Sequence, residues 1–167
     1  YNFEELTVEK FRTGLEINLT SALLMTKGAM QILRKQGLGG SIVYIASKNA
    51  FAPGAGFGGY SVTKAGMLQL MRIAALEGGS AGIRANAINP DAVFDNSKLW
   101  EGGIRDQRAA AHGVKPEELE DFYASRNLLK VRVQTVDVAH SVAFLLSDES
   151  SRTTGAVIAV DGGVSAA

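Results

Sequence analysis

Three short apolar runs, 41–46, 83–88 and 156–160, limit what this chain can fold into more than any other feature. Each reads as a buried strand, and each is closed by residues that turn the chain: Ser47, then Asn89-Pro90-Asp91, then Asp161-Gly162-Gly163. Helical sequence separates them. Buried strands alternating with helices pack as a parallel sheet joined by helical crossovers, so the expected class is α/β with a doubly wound parallel sheet. Three strands alone leave an exposed edge, which is unfavourable for a free-standing domain.

The helices follow from spacing and punctuation. Residues 4–15 predict a short helix with Thr7 as its N-cap. A second starts at Asn18 and runs to about Arg34, with Leu23, Met30 and Leu33 as its packed stripe. Gln36-Gly37-Leu38-Gly39-Gly40 stops it, because glycine caps a helix and permits a tight reversal. Residues 48–59, with Pro53 among glycines and alanines, predict a loop. A helix then runs from Tyr60 to about Glu77, burying Met67, Leu70, Met71 and Ala74, and Gly78-Gly79 ends it. Two more are predicted: Lys115–Ser125, with Pro116 in its first turn, and Val136–Leu146, with Asp137 near its start.

Composition narrows the class. The 167 residues suffice for one domain, and no internal repeat or linker divides them. Acidic and basic residues balance at 17 each, which gives no electrostatic case for nucleic acid or an anionic membrane. No apolar run is long enough to span a bilayer, and there is no cysteine for a disulfide, a thiol nucleophile or a thiolate metal site. Two histidines make a metal centre improbable, so no metal is expected. A cytoplasmic location fits this composition. The opening Tyr1-Asn2-Phe3-Glu4-Glu5 lacks a methionine and enters helix-forming sequence directly, so the expectation is a portion of a longer chain.

The candidate chemistry lies in Ser47, Tyr60 and Lys64. Tyr60 and Lys64 are four residues apart and share a helix face, while Ser47 leaves the end of the first strand. A hydroxyl at a strand's carboxyl end and a phenol beside an ammonium can converge in the crevice where open α/β sheets bind ligands. Such a set suits proton transfer at an oxygen, with the ammonium making a phenolate less costly. Each residue also has an ordinary use: tyrosine and lysine one turn apart on a surface helix, Ser47 and Asn18 as caps, Asn89-Pro90 as a turn. Their joint appearance in this order favours the site.

Serine, tyrosine and lysine in this arrangement, with Ser47 thirteen residues before Tyr60, resemble the active site of the short-chain dehydrogenase/reductase family. The resemblance implies a partial Rossmann-type sheet that binds NAD or NADP and a small alcohol or carbonyl substrate. It implies catalytic roles for Asn18, which helps hold a water in a proton relay, Ser47, which bonds the substrate oxygen, and Tyr60, the acid or base. Lys64 would lower the phenol's pKa and bind the nicotinamide ribose. Pro90, Asp91, Ala92 and Val93 resemble the segment whose backbone meets the nicotinamide, with Asp91 where glycine is usual. The ending from Thr154-Gly155 to Val160-Asp161-Gly162-Gly163 is also family-like.

The omission is as informative. A dinucleotide site needs a glycine-rich turn after the first strand and a charged group near the adenosine ribose. Gly54-Ala55-Gly56-Phe57-Gly58-Gly59 follows Ser47 through an irregular loop, so it is rejected as the phosphate cradle. The family's amino-terminal strands and glycine-rich turn are therefore expected to be missing from a single domain, 1–167. Residues 94–130 would be its variable substrate lid. There Lys98, Arg105 and Arg108 are read as solvated helix charges, with a carboxylate or phosphate contact as the alternative, and His112 as a surface residue. Residues 89–93, Trp100 and 105–111 resemble the dehydrogenase part of bifunctional rhamnulose-phosphate aldolase/alcohol dehydrogenases. That implies a lactaldehyde-like or sugar-derived substrate and an aldolase domain elsewhere in the parent. The rival reading is a non-catalytic binding or oligomerisation module, and a homo-oligomer is expected in either case. Epimerisation or dehydration on the same scaffold is a third possibility.

Overall fold

A computed structural model describes residues 2–166; Tyr1 and Ala167, the ends of the expected domain, lie outside the described residues. Three strands, β1 (Gly40–Ile45), β2 (Ile83–Pro90) and β3 (Val157–Val160), form one parallel sheet in the order β1-β2-β3. The register pairs Tyr44 with Ala87 and Ile88 with Ile158. β2 runs two residues further than expected. As the central strand it keeps a partner at its far end, so Asn89 and Pro90 stay paired with Ala159 and Val160. The turn begins at Asp91, whose N–H still donates to the Val160 carbonyl at 3.3 Å.

Alternation along the strands separates two helical layers. Ile42 and Tyr44 of β1 and Ala85 and Ala87 of β2 face α3 (Gly58–Gly78), packing on Leu68, Met71, Ala74 and Ala75. Alanine at both β2 positions brings the helix close to the sheet, and Met71 is fully buried there. Ser41 and Arg84 point the other way and bind the carboxyl end of α6 (Thr135–Leu146): both donate to the Leu145 carbonyl, at 2.8 and 3.1 Å. These donors satisfy carbonyls that a helix end leaves open. Outside β1 no strand follows among the described residues, and Ile45 is 43% exposed.

The expected break near Asn18 is absent. Thr7 caps α1 (Val8–Leu15) by accepting from the Lys10 N–H at 3.3 Å. The chain then passes through a π-helical turn, Glu16–Thr20, into α2 (Ser21–Gln36) without leaving helical backbone. Asn18 is therefore interior and caps nothing. The buried side of this helix is Leu19, Ala22, Thr26, Met30 and Leu33, which puts Leu23 one residue off the stripe and leaves it exposed. Gly37, at φ 69°, ends α2 in the left-handed conformation that glycine adopts without strain.

Residues 94–130 fold as a small helical cap with its own core. It holds α4 (Ile104–His112), which sequence spacing did not predict, and α5 (Leu119–Arg126), preceded by a 3₁₀ turn at Pro116–Glu118. Phe94 stacks on Trp100 at 4.0 Å, with Ala109, Leu119 and Tyr123 buried beside them. The Asp95 carboxylate accepts from the Thr135 N–H and hydroxyl, fastening this cap to the start of α6. Among the described residues no helix is long and apolar enough to cross a membrane, and no acidic or histidine cluster could hold a metal.

Candidate active site

β1 delivers Ser47 to the crevice. The Ala46 N–H still donates to the Ile88 carbonyl at 2.8 Å, so the chain stays on the sheet until Ser47, which is buried and extended. Its hydroxyl accepts from the Asn49 N–H at 3.2 Å, so the ordinary capping role is also real. Across the crevice α3 begins at Gly58, which puts Tyr60 in its first turn. The Ser47 side chain lies beside the phenol. Burial pushes the phenol above its ordinary value, and Ser47 opposes the push.

Lys64 lies one turn on, its Nζ 5.7 Å from the centre of the Tyr60 ring. The ammonium donates to the Ile45 carbonyl at 2.9 Å, and burial lowers its pKa. Burial is the largest influence on the phenol, and the ammonium is held on the strand. Asn18 sits in the π turn against α3, where Gly66 and Leu19 touch. Its amide donates to the Gly14 carbonyl of its own helix at 3.2 Å and is not bonded to Ser47, Tyr60 or Lys64. Three of the four candidates therefore gather, and the fourth stands apart. π turns recur at functional sites, which keeps Asn18 of interest.

Pro90 to Val93 lead off β2, the neighbour of β1 in the sheet. Asp91 pairs with Arg126 of α5 at 3.4 Å. Burial pushes the Asp91 carboxyl up, while Arg126 and then Lys48 pull it down and Asp161 adds to the rise. Ala92 has φ +24°, a strained value for a residue with a side chain. The Val93 carbonyl accepts from the Trp100 indole at 2.6 Å. Asn89, nearly fully buried, has a side-chain oxygen without a hydrogen-bond partner. An orphaned acceptor, a strained turn and a desolvated ammonium at adjoining strand ends fit the nicotinamide end of a cofactor. For the pyrophosphate end, the glycine-rich run 54–59 between β1 and α3 is reached only through a 3₁₀ turn at Lys48–Ala50 and an irregular loop, not directly from a strand end.

Sequence reasoning missed Arg126 and Phe57. Arg108 is half-buried, 4.4 Å over the Phe57 ring, and His112, partly exposed, packs on Phe122 and Tyr123. Charges on a short helix carry no sign of which side another segment will cover. A cavity of about 600 Å³ lies elsewhere, near Leu128, Leu129, His140 and Gly162.

A family model described as enoyl-(acyl carrier protein) reductase, adh_short_C2, matches residues 1–165. The uncharacterized oxidoreductase YuxG of Bacillus subtilis is 38% identical over 165 residues, which are 99% of this chain and 24% of that protein. L-rhamnose-1-dehydrogenase of Scheffersomyces stipitis is 37% identical, over 97% of this chain and 58% of its own length. Among solved structures, sorbitol-6-phosphate 2-dehydrogenase SrlD from Erwinia amylovora matches with a TM-score of 0.91 at 26% identity, covering 98% of this chain and 63% of that one. Levodione reductase matches at 0.86 and 31%, covering 100% and 62%. The chain thus spans less than two thirds of the relatives it matches.

Proposed function

The chain belongs to the short-chain dehydrogenase/reductase family, and from that membership we propose that it carries the proton-transfer half of an oxidoreductase interconverting an alcohol with an aldehyde or ketone. The observation that carries the reading is the placing of Ser47 at the end of β1 beside Tyr60 in the first turn of α3, with Lys64 one turn further along. Ser47 holds the substrate oxygen, and Tyr60 takes its proton in oxidation or returns it in reduction. Lys64 turns from the Ile45 carbonyl to the phenolate side and to the cofactor ribose, and Asn18 holds a water behind it. NAD or NADP supplies the hydride acceptor or donor when bound. Residues 90–93 would lie against the nicotinamide, with 94–130 as the lid over the substrate.

Relatives named for rhamnose and sorbitol 6-phosphate support a sugar-derived or lactaldehyde-like substrate. We also infer a parent of the bifunctional aldolase/alcohol dehydrogenase kind, because YuxG is matched over only 24% of its length and has room for a further domain. Self-association through the exposed Leu24, Ile32, Ile73 and Leu76 of α2 and α3 belongs to the same reading. The deciding experiment titrates the 167-residue chain, and the protein expressed from its complete reading frame, with NAD and NADP. Saturable binding with turnover of an alcohol by the second sustains the enzyme. Absence of both in each, beside concentration-dependent assembly, favours a binding or oligomerisation module.

A further inference from the structure

Arg108 stands between the lid and the loop that leads into Tyr60, and its charge is unanswered. The guanidinium carbon lies 4.4 Å over the Phe57 ring, and Phe57 is 6.2 Å from the Tyr60 ring. One terminal nitrogen is 4.0 Å from where a side chain on Gly56 would begin, an ordinary contact distance. The other donates to His112 Nε2 at 3.3 Å, which also meets the Tyr123 hydroxyl at 3.4 Å. Nε is buried without a partner. Every other basic group at this crevice is accounted for: Arg126 holds Asp91, Lys64 holds the Ile45 carbonyl, and Lys48 holds the Ala52 carbonyl at 3.1 Å. Arg108 has no carboxylate within ion-pair distance among the described residues.

A half-buried guanidinium whose Nε lacks a partner, with an imidazole and a ring face as neighbours, gains from the arrival of something negative. Guanidinium forks suit carboxylate and phosphate in particular. We propose that Arg108 is the anion-binding group of this crevice, taking the carboxylate or phosphate of the molecule whose hydroxyl or carbonyl lies at Tyr60. This rests on the oxidoreductase reading and selects a charged, sugar-derived substrate over a neutral lactaldehyde-like one.

Two measurements separate the proposal from the reading beneath it. In the first, inorganic phosphate is titrated into the ¹⁵N-labelled chain while the arginine Nε–H resonances are followed, with that of Arg108 assigned by its loss in Arg108→Gln. A saturable shift that disappears in Arg108→Gln supports the anion site; phosphate binding unaltered by the substitution overturns it. In the second, the protein from the complete reading frame is offered sorbitol 6-phosphate against sorbitol, and glycerate against glycerol. The charged member should be preferred about tenfold or more in kcat/KM, with the preference lost in Arg108→Gln, kept in part by Arg108→Lys, and neutral turnover changed less than about twofold. Equal use of charged and neutral members refutes the proposal and spares the oxidoreductase. No turnover with a saturable Arg108 shift refutes the oxidoreductase and leaves the anion site standing.

Discussion

Lys64 donates to the Ile45 carbonyl at 2.9 Å while its Nζ stays 5.7 Å from the centre of the Tyr60 ring. The cation that would stabilise a phenolate is therefore parked on the end of β1. Burial disfavours both charged forms: it raises the Tyr60 phenol and lowers the Lys64 ammonium. Holding two groups where their charged forms are disfavoured costs stability.

Removing the phenolic oxygen tests the centre directly. Tyr60→Phe in the protein from its complete reading frame should lower kcat by about a hundredfold or more and leave the circular dichroism spectrum unchanged. Near-normal turnover removes Tyr60 from the chemistry. Lys64→Met should also abolish most activity, yet its thermal midpoint should hold or rise, because a buried ammonium is replaced by a thioether. For a base whose folded value is lowered, the stabilising contribution is present above 10.5 and is lost as pH falls through the folded value. At neutral pH the native lysine is thus a cost, and a large drop in midpoint for Lys64→Met would contradict this.

Asp91 carries the opposite pH signature. Its folded value is raised by burial, so the contribution of this group is complete below 3.8 and is lost as pH rises through the raised value. Asp91→Asn should therefore gain on the native chain in urea-unfolding free energy as pH climbs from about 3.5 to neutrality. A difference that shrinks over that window would mean that the Arg126 pair outweighs desolvation.

The Thr26–Tyr44 hydrogen bond, 2.7 Å and buried, is asymmetric. Thr26 also donates to the Ala22 carbonyl at 2.7 Å, so its single proton is used and the Tyr44 hydroxyl must donate to Thr26. Thr26→Val strands that hydroxyl and should cost about 1–3 kcal/mol, whereas Tyr44→Phe leaves Thr26 bonded and should cost about 1 kcal/mol or less. Chemical denaturation of both variants and the double variant checks the order. Equal costs would reject the donor assignment.

Gly162 turns the chain off β3 at φ 61°, and a Cβ there would sit 2.5 Å from Asn127 Cγ. Asn127 is itself fixed, donating to the Val131 carbonyl at 2.7 Å and accepting from the Val131 N–H at 3.2 Å. Gly162→Ala combines backbone strain with a clash that no rotamer relieves and should destabilise by about 3 kcal/mol. An unchanged melting curve would show that the 127–131 loop yields freely.

Periodicity along the chain determined the elements that bury continuous faces: three parallel strands, α3 with Met67, Met71 and Ala74 inward, and α6 from near Val136. It also determined that Ser47, Tyr60 and Lys64 would meet, because a strand end and the first turn of the following helix are tied by a short loop in any crossover of this kind. Only the tertiary structure decided that Asn18 lies inside a π turn, bonded to Gly14, since one extra residue in a helical turn leaves no mark on apolar spacing. It alone set Arg126 on Asp91 and Arg108 over Phe57. Those contacts join residues 35 and 51 positions apart across irregular chain, and local propensity carries no information about which side of a charged helix a distant loop will cover.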